Sequence, residues 1–164
     1  MSGCSVSMTF IPDSAEAGFD SGAIARAKEA LGRCDPLAPG SSFRGHIKEA
    51  LEEAGWSGKV NLEHDTKRYI DGVFRGVGLV VQTGNKGAAT SYLMNLEHMY
   101  VTGKIDSAIF VTQTRDHAVR RYELFSNPGS NSDGNYCTME RVSSDIRLFS
   151  SFLRCPICIM AIEG

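Results

Sequence analysis

A chain of 164 residues, 42% of them hydrophobic, is the size of one globular domain and can bury a core without disulfides or structural metals. Its formal net charge of −2 and isoelectric point near 6.1 exclude a protein that coats nucleic acid through uniform positive charge, because such binding draws on many Lys and Arg. A local basic surface is still open to it. Arg115, Arg120, Arg121, Arg141, Arg147 and Arg154 all fall in the last third, where they read equally as one cationic surface or as scattered solubilising charge. Cys4, Cys34, Cys137, Cys155 and Cys158 form an odd, irregular set. Met1 to Phe10 carries no basic segment followed by an apolar stretch, and no apolar run approaches the roughly 18 residues of a membrane span. The expectation is a soluble protein in a reducing cytoplasm.

The first 13 residues are weakly patterned and are expected to be mobile. Ser14 to Leu31 reads as an Ala-rich helix, ended by Cys34-Asp35-Pro36 and Pro39-Gly40. A second helix starts at a Ser41/Ser42 cap, places Phe43, Ile47, Ala50, Leu51 and Ala54 on one face, and stops at Gly55. Tyr69 to Thr83 contains two short β-branched runs separated by Arg75-Gly76, a hairpin signal. A third helix is predicted from about Ala88 to Val101, then a strand from Ser107 to Thr112. Asn127 to Asn135 reads as a long turn-rich loop. A helix through Ile146, Phe149 and Leu153 follows, and Pro156 leads into a last strand, Ile157 to Ile162. Strands alternating with helices predict one α/β domain over residues 1–164, a mixed β-sheet flanked by helices.

The hairpin carries the chemistry. With Arg75 and Gly76 as turn residues, counting outward sets Asp71 opposite Val80, and Gln82 falls on the same face as Val80. A carboxylate at position 80 would complete a hard-oxygen site for Mg²⁺ with Asp71, and the carbonyl of Val81 would be a further ligand. Position 80 holds valine, which offers no lone pair.

The run Ile70-Asp71 through Val80-Val81-Gln82-Thr83-Gly84-Asn85-Lys86 resembles the active-site hairpin of BamHI/BglII-like type II restriction endonucleases. In that family an Asp is followed nine residues on by Glu, then after one residue by Gln, often with Gly-Asn-Lys beyond. Ala54-Gly55-Trp56, Gly103-Lys104-Ile105-Asp106 and Pro156 before the final strand fit in order and spacing, so the similarity runs from about Phe43 to Ile162. The resemblance implies a restriction-endonuclease-like core of the PD-(D/E)XK superfamily, a homodimer acting on double-stranded DNA, and Mg²⁺ as cofactor. Asp71 and the Val81 carbonyl would hold the metal, Gln82 would occupy the place of the superfamily's Lys, and Val80 would be a missing ligand. Losing such a ligand is expected to cost at least the 10–100-fold typical of outer-shell losses. Glu97, and behind it Glu52 or Glu53, are the candidates to replace the acid.

Asn85, Lys86, Arg115, Arg120 and Arg121 are the candidate DNA contacts, with Lys86 reading equally as an exposed loop lysine. Cys155-Pro-Ile-Cys158 supplies half of a zinc site without a second half, and reads better as two small hydrophobes near a strand. Gly84-Asn85-Lys86-Gly87 lacks the length and Lys-Ser/Thr ending of a phosphate loop. Two functions therefore compete: an endonuclease with impaired cleavage, and a catalytically silent relative that binds DNA or a partner. A coincidental match on an ordinary α/β domain is the third.

Overall fold

Three segments buried at every position, Val77–Val81, Ser107–Gln113 and Ile157–Ile162, lie side by side and parallel. Strands buried on both faces read as near-continuous apolar runs, and a sheet built from them must be covered on both sides. The computed structural model describes residues 4–38, 42–125 and 136–164. In chain order its elements are β1 (Val6–Ile11), α1 (Ser21–Arg33), α2 (Ser42–Glu53), β2 (Val60–Asn61), β3 (Tyr69–Ile70), β4 (Gly72–Phe74) and β5 (Val77–Val81). Then follow α3 (Ala89–Val101), β6 (Ser107–Gln113), α4 (Arg115–Phe125), α5 (Met139–Leu148) and β7 (Ile157–Ile162). The main sheet has the order β1-β7-β6-β5-β4, with β1 and β4 antiparallel to their neighbours; β2 and β3 form a separate pair.

Alternation along the central strands sorts the core into two. Leu79, Val81, Ile109, Val111, Cys158 and Met160 pack under α1 and α2 with Ala27, Leu31, Phe43, Ile47 and Leu51. Val80, Ala108, Phe110, Ile157 and Ile159 pack on the other side with Leu93, Leu96 and Met99 of α3 and Val142 and Ile146 of α5. The predicted mixed sheet flanked by helices is therefore present.

Several local expectations change. The residues expected to be mobile include β1, which pairs with β7 from Val6↔Ile162 to Ile11↔Ile157; Val6, Met8 and Phe10 alternate with Ser7 and Thr9, the period-2 pattern of a strand. The first helix is broken in two, a 3₁₀ turn over Asp13–Gly18 and then α1, because the Asp20 carboxylate caps the amide of Ala23. Thr114 to Arg121, read from sequence only as a possible source of base contacts, falls on α4 from Arg115 onward. The last helix starts earlier than the Ile146-Phe149-Leu153 pattern suggested, at a Thr138 cap, and ends at Leu148. The expected 127–135 loop and the Ser41 cap lie outside the described residues. No helix among the described residues is long and apolar enough to cross a membrane.

Cys155 belongs to the α3-side core and Cys158 to the α1-side core, so the two thiols leave the chain in different directions and do not form half a zinc site. Burial pushes both thiols up to about 12, which fits their reading as small hydrophobes.

Two stability measurements follow. Gly78 lies where β5 passes under Ile105, and a methyl group there would come within 2.7 Å of Ile105 Cδ1. Gly78→Ala is expected to destabilise by about 1–3 kcal/mol through overpacking. Ile105→Val removes the offending atom, so in urea unfolding the double variant should lose less than the sum of the singles. Strict additivity would show that the contact is not the cause.

His117, fully buried on α4, donates from Nε2 to the Pro36 carbonyl at 2.9 Å, and its Nδ1 has no hydrogen-bond partner among the described residues. Burial lowers its pKa, the carbonyl opposes that, and Arg121 and Arg120 add to the lowering. The unfolded chain therefore binds more protons as pH falls, and His117's contribution to stability is present above about pH 6.5 and lost below it. His117→Gln should flatten the stability profile between about pH 5 and 7; an unchanged profile would assign the slope to other groups.

Candidate active site

The hairpin turn is as the sequence predicts. Arg75 and Gly76 both have positive φ, 49° and 76°, the backbone that a two-residue turn needs to match strand twist, and Phe74 pairs with Val77. Beyond it the register departs from simple counting. Gly72 is the ladder partner of Leu79, yet the amide of Asp71 also donates to the Leu79 carbonyl, at 2.8 Å. Two residues thus stand against one, and Asp71 is the extra residue of a bulge. Ile70, not Asp71, shares the α3-side core with Val80. The expectation that Asp71 and residue 80 share one face is corrected accordingly: a one-residue slip exchanges faces.

The Asp71 carboxylate turns instead toward α2. On that helix Phe43, Ile47 and Leu51 repeat at four-residue spacing and enter the core. Arg44 and Lys48 are each one residue further round, so their stems flank the buried stripe and their heads reach the edge of the sheet. Lys48 Nζ lies 3.0 Å from Asp71 Oδ1, and Arg44 Nη2 lies 3.3 Å from both carboxylate oxygens. The Val81 amide donates to Oδ2 at 2.8 Å, and the Arg44 Nε donates to the Val81 carbonyl at 2.7 Å. Arg44 Nη2 also donates to the Tyr92 hydroxyl at 3.1 Å. The Asp71 side chain is fully buried, whereas those of Arg44 and Lys48 keep 30% and 27% of their exposure, so this ion pair has an open cationic side. Burial works against the Arg44 charge, but Asp71, Tyr92 and Tyr69 outweigh it and hold its pKa above the ordinary value. The same burial pushes the Tyr92 phenol up, against the pull of Arg44.

Mg²⁺ asks for about six oxygens at about 2.1 Å, several of them carboxylate or water. The two oxygen-bearing groups available, the Asp71 carboxylate and the Val81 carbonyl, are already bound to one guanidinium. Position 80 is a fully buried valine in the α3-side core, and the described residues contain no group of three His, Cys, Asp or Glu able to hold a metal. The residues as they stand do not fit a divalent metal.

Glu97 is not free to replace the missing acid. Its buried carboxylate accepts the amides of Arg154 and Cys155, each at 2.8 Å, and so fixes the entry to β7. Glu52 and Glu53 are exposed near the end of α2. Gln82 is buried; its backbone N–H donates to the Val111 carbonyl and its side-chain Oε1 accepts from the Gly84 N–H.

Asn85 is exposed and caps the turn at Lys86–Ala88 through the Gly87 amide; Lys86 is half-buried. Arg115 and Arg120 are exposed on α4, as a DNA contact requires. Arg121 is not: its guanidinium stacks 3.7 Å over the Phe43 ring and donates to the Ala38 carbonyl, so it ties α4 to α2 and leaves the list of surface contacts. Arg44 and Lys48 were missed from sequence. Their signal was present as a cationic pair at four-residue spacing beside a core stripe, but only the fold shows that the stripe's flank meets Asp71.

The family model for the restriction endonuclease BglII/BglIII matches residues 23–162. No curated protein matches. Among solved structures, the crystal structure of restriction endonuclease BglII complexed with a DNA 16-mer superposes with a TM-score of 0.74 at 16% identity, over 98% of this chain and 77% of that one. At that identity the superposition speaks for the fold alone, and the family match speaks for descent. With its hairpin, parallel core and flanking helices in place, this chain belongs to the BglII/BglIII restriction endonuclease family.

Proposed function

We propose that this chain acts on duplex DNA as a homodimeric, cytoplasmic type II restriction endonuclease in which Mg²⁺-dependent double-strand cleavage is severely reduced. One domain, residues 1–164, would carry the function. The observation behind the reduction is the state of the hairpin: one carboxylate, Asp71, already paired with Arg44 and Lys48, and a buried valine at position 80. Of the ligands that the family resemblance implies, only Asp71 and the Val81 carbonyl remain, and Arg44 is bound to both. Gln82 cannot serve as a base because an amide does not titrate near neutrality; its role would be to orient a water or a phosphate oxygen. Asn85, Arg115 and Arg120, which are exposed, and the half-buried Lys86 supply polar and cationic groups for the DNA backbone and base edges.

The second reading, a relative that binds DNA without cutting it, is favoured by the same Arg44 contacts. Binding and cleavage separate the two. Duplex binding should be detectable in EDTA and fall steeply between about 50 and 200 mM salt, with a log–log slope of about −0.9 per phosphate contact. Supercoiled plasmid in Mg²⁺ or Mn²⁺ should be linearised only slowly by stoichiometric protein, or not at all under the second reading. Rapid multiple-turnover cutting would refute the proposed loss of cleavage, and failure to bind any duplex would refute both readings.

A further inference from the structure

Resting on the DNA-binding reading above, we infer that Arg44 and Lys48 form a phosphodiester-binding site that works without metal, placed on the oxygens that the family resemblance assigns to the metal. Arg44 bonds the Val81 carbonyl and both Asp71 carboxylate oxygens together, and Lys48 meets Oδ1 as well. The contacts of a bridging cation are thus made by side chains of α2.

Charge balance decides what such a site takes. Two cations stand against one buried carboxylate, which leaves one positive charge in surplus on the solvent side, since Asp71 is sealed and the two bases are not. Lys59 adds to this surface: its Nζ lies 4.4 Å from the centre of the Tyr69 ring, while Lys48 lies 5.9 Å from that ring and Arg44 5.4 Å from the Tyr92 ring. The aromatic faces hold the cations in place, and the half-buried guanidinium keeps its charge. A singly charged phosphodiester oxygen matches the surplus, and a planar guanidinium beside an ammonium is suited to grip it. A divalent cation would meet the opposite situation, two positive groups at its intended ligands.

In this arrangement Asp71 is a positioning residue. It orients Arg44 and Lys48 and lowers the local positive potential, and it does not touch the phosphate. That distinguishes the site from a metal centre, where Asp71 would be indispensable to binding through the ion.

The test is fluorescence anisotropy with a labelled 16-base-pair duplex of mixed sequence, in EDTA and again with Mg²⁺, for the intact chain and five variants. Arg44→Ala and Lys48→Ala should each weaken binding on the order of 10-fold and make the salt slope shallower by about 0.9. Arg44→Lys should recover part of the loss. Asp71→Asn should tighten binding several-fold, and Mg²⁺ should not strengthen binding by the intact chain. Arg33→Ala, on an exposed α1 ion pair with Glu29, is the reference for a cation outside the site. Circular dichroism melts identify variants that fail to fold; if Arg44→Ala is one, Lys48→Ala and Asp71→Asn carry the decision. If the chain binds duplex but Arg44→Ala and Lys48→Ala behave like Arg33→Ala, this inference is wrong and the DNA-binding reading survives. Binding that requires Mg²⁺, or that Asp71→Asn abolishes, likewise overturns the inference alone. No duplex binding by any form overturns both.

Discussion

The parallel pairing of β5, β6 and β7, buried on both faces, is the constraint from which the rest of the molecule follows. Such strands tolerate almost no polar side chain along their length, so the polar residues gather at their ends and edges. Thr112 and Gln113 close β6 with hydrogen bonds to the Cys137 and Thr83 carbonyls, Gln82 follows β5, and Asp71 sits at the bulge beside it. In open α/β sheets this carboxyl-terminal rim is where ligands bind. The loop after β5 is tied down there by the Asn85–Tyr136 bridge and by the Cys137 amide on the Gly84 carbonyl.

The bulge at Asp71 decides what the rim can do. Without it, the acid would stand over Val80 and share the α3 side. With it, the acid faces α2 and finds Arg44 and Lys48. A buried carboxylate with a single cation is a poor bargain against desolvation, and a second cation together with a backbone amide changes the balance. The group is therefore strongly held, and its residual charge is positive rather than negative. In a nuclease centre built on two acids the residual charge is negative and calls for a metal. The positive residual charge of this site comes from three side chains acting together, a valine at position 80 that brings no second acid and Arg44 and Lys48 on the acid that remains.

How much of this was legible in the sequence depended on whether the signal was local. The turn at Arg75-Gly76, the α2 stripe of Phe43, Ile47 and Leu51, and the strands β6 and β7 follow from periodicity and turn chemistry, and the structure contains them. The family resemblance was legible too, because its motif lies within one hairpin. The bulge was not, since an extra residue leaves no mark on composition and register counting assumes there is none. Glu97 and Arg121 misled for a related reason. Each belongs to a residue type that is usually solvated, and each is buried because distant backbone groups, the amides of Arg154 and Cys155 or the carbonyl of Ala38, happen to need it. β1 carries a local strand pattern, Val6, Met8 and Phe10 alternating with Ser7 and Thr9, but its partner lies about 150 positions away in the chain and nothing local shows what it pairs with.

That last separation has its own consequence. The Glu163 amide bonds the Ser5 carbonyl, and β1 joins the sheet only against β7, so β1 waits for a strand made about 150 residues later. Until β7 has emerged, β6 has one unpaired edge and β1 has no partner at all, and both are templates for pairing with other chains. On that pairing alone, slowing synthesis just before β7 would lengthen the interval in which both edges are open rather than help the chain fold.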